Sequence, residues 1–413
     1  MQAPTELSPR AAWTLILAAA AIMMITMGAR MTTGLFLSPI NTSTGLGIVS
    51  ISFAMAVGQF VWGAAQPVFG AIADKYGSVR VLIAGALMLA AGTALTPFVD
   101  TQWGLIFALG ILSAAGAGAG SFSILIGATS QRIPAERRAF ASGFINAGGS
   151  FGQFVFAPLV QAVISLAGWV TAMLAMAAAT LLTIPLVWPF RKRAPAPAVT
   201  ASPAAPKGMG LGEQVRVAMR DPSYLFLHAG FFTCGFHIAF LVTHLPGEVA
   251  LCNLPAGVSA TALGLIGLFN IIGSLGAGAL GARYRMKYLL AWLYASRAAI
   301  IMLYLLAPKT AWTFYIFAAV LGLTWLATVP PTAGLVGKLF GVRYLATLFG
   351  LTLLSHQIGG FFGAWLGGLA LERYGNFNWM WYADIVLALA AALVNLPIRE
   401  SRVVPVIKAV STR

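Results

Sequence analysis

Twelve runs of apolar residues follow one another along the chain, each able to cross about 30 Å of hydrocarbon as a helix of about 20 residues. They fall at roughly 12–40, 48–73, 79–99, 103–130, 138–166 and 169–190, and again at roughly 223–247, 257–282, 288–307, 311–337, 344–371 and 377–398. Backbone in hydrocarbon has to satisfy its own hydrogen bonds, so runs of this length become helices. The predicted fold class is therefore all-α integral membrane, with twelve transmembrane helices in two six-helix bundles. A composition of 59% hydrophobic and 8% charged residues excludes a soluble domain, whose charged fraction is nearer a quarter. The first run exceeds the 7–15 residues or so of a signal peptide's apolar region, so it is expected to remain as the first span.

One long polar stretch interrupts the series. It begins Arg191, Lys192, Arg193, passes through Pro195, Pro197, Pro203 and Pro206 among alanines, and reaches Pro222. Prolines at that density forbid a regular helix and leave no apolar face to bury, so the stretch reads as an exposed linker. Six runs precede it and six follow it. The domains expected are residues 1–190, a bundle; 191–222, the linker; and 223–413, a second bundle with a tail.

A net charge of +15 would suggest a nucleic-acid partner in a soluble protein, but its placement argues otherwise. Of the 25 Lys and Arg, 21 lie in the termini, the linker and alternate loops, which all fall on one side; Lys309 and Arg373 lie on the other, and Arg30 and Arg297 inside runs. The positive-inside rule then makes both termini and the linker cytoplasmic. The charge is topology, and no nucleic-acid partner is expected. Cys234 and Cys252 make neither a disulfide framework nor a metal cluster, and no metal or cofactor is expected.

The halves repeat each other weakly. Gly143 to Gly152 in the fifth run lines up with Gly350 to Gly359 in the eleventh, and Gly70-Ala-Ile-Ala-Asp74-Lys75-Tyr76-Gly77 has a decayed counterpart in Gly278 to Tyr284. With the cytoplasmic central loop and Gly70-x-x-x-Asp74-x-x-Gly77-x-x-Arg80 after the second run, the chain resembles the major facilitator superfamily over nearly its whole length. Within it, Gly28-Ala-Arg30-Met-Thr-Thr-Gly34-Leu-Phe36, Gly235-Phe-His237 through His244-Leu-Pro246, and Leu354-Ser-His356-Gln357-Ile-Gly359 are similar to the oxalate:formate antiporters and monocarboxylate porters. The resemblance implies a secondary transporter working by alternating access, with its site between the halves near mid-membrane. It also implies a conformational latch at Gly70, Asp74, Gly77 and Arg80 that stabilises the outward-open state, and a multi-pass place in a bacterial cell inner membrane.

Arg30 is the most informative single residue. An arginine in hydrocarbon costs roughly 3 kcal/mol or more unless it faces a wet cavity or a partner, and its own run offers no carboxylate. Its guanidinium fork matches a carboxylate with two parallel hydrogen bonds. Counted from the start of the run at about 1.5 Å per residue, it falls in the half of the membrane farther from the N-terminus. The substrate-binding set expected around it is Gln59, Asn146, Gln153, His237, Asn270, His356 and Gln357, polar groups on helices that face the cavity in this superfamily. Arg297 lies in the ninth run, which stands outside that cavity, and reads as structural.

Acids are scarce in the runs, with Asp384 in the last and Glu248 just beyond the seventh. That argues against cation substrates and leaves His237, His244 and His356 as candidates for proton coupling. Two departures from the relatives stand out. Ser274 occupies the place of their eighth-span arginine, with Asn270 four residues earlier, and His356 is the nearest ionisable group to the lysine that the antiporters carry in span eleven. The glycine-proline signature of drug:proton antiporters is also broken, by Phe156 and Ala157.

The function expected is transport of a small organic anion, most simply a monocarboxylate, by proton symport or anion exchange. The alternative is a transporter of a neutral or amphipathic solute in which Arg30 is structural. No nucleophile and base pair or histidine-box spacing appears, so an enzyme is not expected. The partners expected are the anion and the lipid bilayer, around a monomer.

Overall fold

The computed structural model describes residues 8–130, 132–133, 135–191, 210–341 and 345–401, and among them there is no strand. The first half contributes α1 (Arg10–Thr44), α2 (Ile48–Tyr76), α3 (Ser78–Leu95) and α4 (Gln102–Thr129). A further helical stretch, Ala135–Leu181, folds back at Gly168, whose φ of +83° no L side chain adopts comfortably. The turn makes two passes of it, α5 (135–167) and α6 (169–181). The second half contributes α7 (Pro222–Leu251), α8 (Ala256–Arg283), α9 (Met286–Leu306), α10 (Ala311–Phe340), α11 (Leu345–Tyr374) and α12 (Asn378–Asn395). Twelve passes in two sets of six are the architecture that the apolar runs predict.

The ends of these helices are written locally. Ser8 caps α1 by accepting from Ala11 N at 3.3 Å, with Pro9 in the first turn. Asp221 caps α7 by accepting from Ser223 N at 2.9 Å, and its other oxygen takes Arg399 Nη2 at 2.8 Å. Glu400 accepts from Lys287 N at 2.9 Å and from Lys338 Nζ at 3.2 Å, so the end of the second half is tied to two of its loops.

Four features depart from the sequence expectation. α7 runs on to Leu251, which places Glu248 inside it, buried and accepting from Tyr304 Oη at 2.7 Å. α10 is not one helix: Ala311–Thr324 and Val329–Phe340 are separated by four non-helical residues, because Pro330 and Pro331 remove backbone donors at the start of the second piece. α4 passes through a π-helical stretch, Ile106–Ser113. Within the stretch read as linker, the proline-free segment Leu211–Ala218 is a helix, and Gln214 Nε2 donates to Phe340 O at 3.1 Å. Residues 192–209, with the proline tract, lie outside the described residues.

Close helix pairs recur in the two halves. α11 lies against α7 so closely that a Cβ at Gly359 or Gly363 would sit 2.0 Å from Phe232 O or 2.1 Å from Phe236 O. α5 lies against α1 in the same way, where a Cβ at Gly152 would be 2.0 Å from Met24 O. Small residues at this spacing let backbones approach where lipid provides no hydrophobic drive.

The halves meet along three seams. α1 touches α7 where a Cβ on Gly34 would lie 1.9 Å from Val242 O. α2 touches α11 from Ser52 against Gly368 to Gly63 against Gln357, with Phe53 edge-on to Phe361 and Trp365. α5 touches α8, where Asn270 Nδ2 donates to Ser150 Oγ at 2.8 Å. Toward the end of the bundle that carries the termini, a Cβ on Gly70, Gly276, Gly278 or Gly350 would meet nothing within 4 Å. Of the expected latch, Gly77 takes a φ of +91° between α2 and α3 and Arg80 is exposed, while the Asp74 side chain lies outside the described residues.

Candidate substrate site

Arg30 stands in the last turn of the first helical piece of α1, Pro9–Met31, just before a 3-10 turn, Thr33–Phe36, bends the chain into Leu37–Thr44. It is residue 21 of the 35 in that pass, and it meets Gln59 and Gln357, each roughly a dozen residues into its own helix. It therefore lies near the middle of the bundle rather than in the far half that counting along the run had suggested, because the pass is longer than a perpendicular crossing needs.

Its guanidinium is held from both halves. Nη2 donates to Gln59 Oε1 of α2 and, at 3.2 Å, to Gln357 Oε1 of α11. The group also lies over the Trp62 ring, with Cζ 4.4 Å from the ring centroid, an arrangement in which the indole face offsets part of the lost hydration. Nε has no partner, and no carboxylate among the described residues is paired with it. Gln357 Nε2 in turn donates to His356 Nδ1 at 2.8 Å. That bond puts the ring proton of a neutral His356 on Nε2, which is buried and without a partner.

These groups line a cavity of about 630 Å³, counting its open mouth. Arg30, Gln59, His356 and Gln357 are its polar members; the rest of the wall is Trp62, three phenylalanines, two methionines, a glycine and aliphatic side chains from α7, α10 and α11. Leu326 and Val329, at the break in α10, belong to that wall. A second cavity of about 550 Å³, again counting its open mouth, lies on the first-half side of Arg30, between α1, α2, α3, α4 and α6. Thr93 and Ser113, whose hydroxyls are 3.4 Å apart, line it at the end of the π-helical stretch.

The other candidates sit elsewhere. Asn270 is buried between helices: its Oδ1 accepts from Leu326 N at 2.9 Å and from Ser274 Oγ at 3.1 Å, while Nδ2 reaches Ser150. Gln153 Nε2 donates to Leu263 O at 2.9 Å across the same seam, and Asn146 is buried in α5, outside the cavity lining. His244 donates from Nε2 to Ala364 O at 2.7 Å and packs on Phe377, joining α7 to α11. His237 is fully buried inside the second half, hydrogen-bonded through Nδ1 to Asp384 Oδ2 of α12. The structure thus gathers Arg30, Gln59, His356 and Gln357 and leaves Asn146, Gln153, His237, His244 and Asn270 outside the cavity.

Two pairings were not read from sequence, although both residues were noticed, Trp62 as a possible pocket wall and Asp384 as an acid in the last run. The stacking of Trp62 on Arg30 had a signal in their shared place among cavity helices, but an aromatic in a span usually packs in the core. The Asp384 partner of His237 lies 147 residues away, and nothing local announces it.

The chain's relatives agree with this architecture. A sequence model of the Major Facilitator Superfamily matches residues 18–364, and the chain belongs to that family of membrane transporters. It is 24% identical over 373 residues to the oxalate:formate antiporter of Oxalobacter formigenes, covering 89% of this chain and 86% of that one. It is also 24% identical over 365 residues to monocarboxylate transporter 13 of Rattus norvegicus, covering 84% and 80%. Among solved structures it is similar to a bacterial homologue of the human lysosomal transporter Spinster in an inward-facing, unoccupied conformation, with a TM-score of 0.74, 14% identity, and 94% and 97% of the two chains covered.

Proposed function

We propose that the protein carries a small organic anion, one carboxylate on an apolar body, across the membrane by alternating access, as proton symport or anion exchange. The observation that carries the reading is Arg30: a cation held between the halves, at a cavity whose other polar side chains are the neutral Gln59, His356 and Gln357, with no carboxylate among the described residues paired to it. A bound carboxylate supplies the missing counter-charge through the guanidinium fork, and the neutral amides of Gln59 and Gln357 orient it. His356 stands beside this group as a neutral donor through Nε2. The wall of phenylalanine, methionine and aliphatic side chains suits an apolar body. A second carboxylate would find no second fixed cation among the described residues that line the cavity. The names of the relatives, an oxalate:formate antiporter and a monocarboxylate transporter, fit an anion substrate.

In this reading the membrane is a bacterial inner membrane with both termini cytoplasmic, and the protein is a monomer that needs no cofactor. The seams then close the periplasmic side, so the conformation is inward-open. Alternating access requires them to part while the loop containing Gly70, Asp74, Gly77 and Arg80 closes the other side.

A second reading has its own support. Arg30 already donates to two amides and stacks on Trp62, as a structural arginine would, and a neutral or amphipathic solute then occupies the apolar cavity.

Counterflow in proteoliposomes tests the two, using acetate, lactate, butyrate, phenylacetate, oxalate, succinate, a sugar and a quaternary amine. The anion reading expects exchange of monocarboxylates that disappears in Arg30→Gln. Equal transport of a neutral solute by both forms overturns it.

A further inference from the structure

Behind the α10 wall of the cavity lies a second group of ionisable residues, for which anion binding at Arg30 provides no task. Arg297 of α9, His237 of α7 and Asp384 of α12 are each 0% exposed. His237 Nδ1 is hydrogen-bonded to Asp384 Oδ2. Arg297 Nη2 donates to Thr324 O at 2.8 Å and to Trp325 O at 3.0 Å. These two carbonyls end the first piece of α10, where the helical ladder stops and leaves acceptors to be satisfied from outside. Trp325 packs edge-on against the His237 ring at 5.5 Å, and Leu326, the next residue, lines the cavity. One broken turn therefore has the ionisable group on its buried side and the substrate cavity on the other.

The titratable and charged neighbours of the group are few. Among the described residues α7 adds Cys234, whose Sγ lies 3.8 Å from Trp325 O and 3.4 Å from Thr328 Oγ1; α9 adds Tyr294, whose ring centroid is 5.5 Å from Arg297 Cζ; and α11 brings His356, whose backbone packs on Gly235 of α7. The formal charges are +1 on Arg297 and −1 on Asp384, so the group is neutral when His237 is neutral. A carboxylate accepting from Nδ1–H leaves the lone pair of His237 on Nε2, and that nitrogen has no partner. Asp384 Oδ1, Arg297 Nε and Arg297 Nη1 also lack partners. A free lone pair on a ring whose other nitrogen is held by a carboxylate is a place where a proton can be taken up.

We propose that His237 Nε2, backed by Asp384 on the other ring nitrogen, is the protein's proton-binding site, and that its occupancy acts on the cavity through the broken turn of α10. The proton comes from water on the open side, takes the Nε2 lone pair and leaves an imidazolium paired with Asp384. The charged ring packs on Trp325, whose carbonyl Arg297 holds, so the new charge falls on the broken turn itself. The group as a whole moves from neutral to +1, which favours an anion across the α10 wall. That link rests on the anion reading above; the proton site does not. By reciprocity, an anion bound at Arg30 raises proton affinity at His237 by the same factor.

Infrared difference spectra of ring-labelled-histidine protein in lipid, cycled between about pH 5 and about pH 8, test the site without any substrate. The expected wild-type spectrum contains an imidazole-to-imidazolium change together with a perturbed carboxylate band. His237→Gln removes the imidazole change, and Asp384→Asn moves its midpoint down by about tenfold or more in proton affinity. An unchanged imidazole signal in His237→Gln, or none in wild type, overturns the proposal. If His237→Gln does not fold, the signal must persist in each of His228→Gln, His244→Gln and His356→Gln; its loss in one of them assigns the proton elsewhere and overturns it. Where butyrate stabilises the protein, adding it must raise the midpoint. A midpoint that stays fixed refutes the link through α10 and leaves the anion reading intact.

Discussion

Arg30 of the first half and Gln357 of the second are joined by a hydrogen bond of 3.2 Å, and Arg30 also donates to Gln59 of its own half, so this guanidinium is held by both bundles at once. A group in that position changes partners whenever the halves rock. Substrate charge and conformational change then meet at the same atoms.

Replacing Arg30 by Gln should remove the response to anions and leave the fold. Gln keeps hydrogen bonding to Gln59 and Gln357 but cannot form the bidentate ionic pair, so apparent carboxylate affinity should fall by about 10- to 100-fold. Arg30→Lys should recover part of it, as a point charge without the fork. Ligand-dependent shifts in Tm on the purified protein check both.

The amides at Arg30 should act together. Gln59→Leu and Gln357→Leu each remove an acceptor from Nη2. A double-mutant cycle on ligand affinity should give a coupling of about 0.5–3 kcal/mol, the range for residues sharing one network. Simple additivity would mean that the two amides hold Arg30 independently.

A bulkier residue at Gly34 should open the α1 to α7 seam. A Cβ there would come 1.9 Å from Val242 O, against backbone that cannot step aside. Gly34→Val should destabilise this conformation by about 1–3 kcal/mol. A single cysteine placed at Ser52 should then react faster with a membrane-impermeant thiol reagent than it does in the parent protein.

Removing the α10 support should cost more than removing a surface charge. Arg297→Ala leaves Thr324 O and Trp325 O without their donor and removes the +1 that offsets the buried Asp384 carboxylate in the formal charge of the group. A loss of about 3–5 kcal/mol is expected from an uncompensated buried charge. Thermal unfolding in detergent measures it, with exposed Arg80→Ala as the control that should change little.

Much of this architecture was legible in the sequence, because crossing hydrocarbon demands a run of fixed length and the chain supplies twelve. The hairpin at Gly168 fell in the two-residue gap left between the fifth and sixth runs. The break in α10 was missed although Pro330 and Pro331 mark it, since hydropathy stays high on both sides. Among the polar residues, Arg30, Gln59, His356 and Gln357 converge, while Asn270 and Gln153 were indistinguishable from them in sequence and join helices instead. An amide in a span is equally well satisfied by a neighbouring backbone group or by a ligand, and only packing decides between them. His237 illustrates the same limit: the face it presents was readable, but its partner on α12 was not.

The most direct test of the central claim compares two nearly isosteric ligands, butyrate and butyramide, by their effect on the Tm of wild type and Arg30→Gln. A ligand that binds the folded state raises its apparent stability by mass action. The account predicts stabilisation of wild type by butyrate, little by butyramide, and no difference between the two in Arg30→Gln. Equal stabilisation of wild type by both compounds, retained in Arg30→Gln, would contradict it and make Arg30 part of the scaffold.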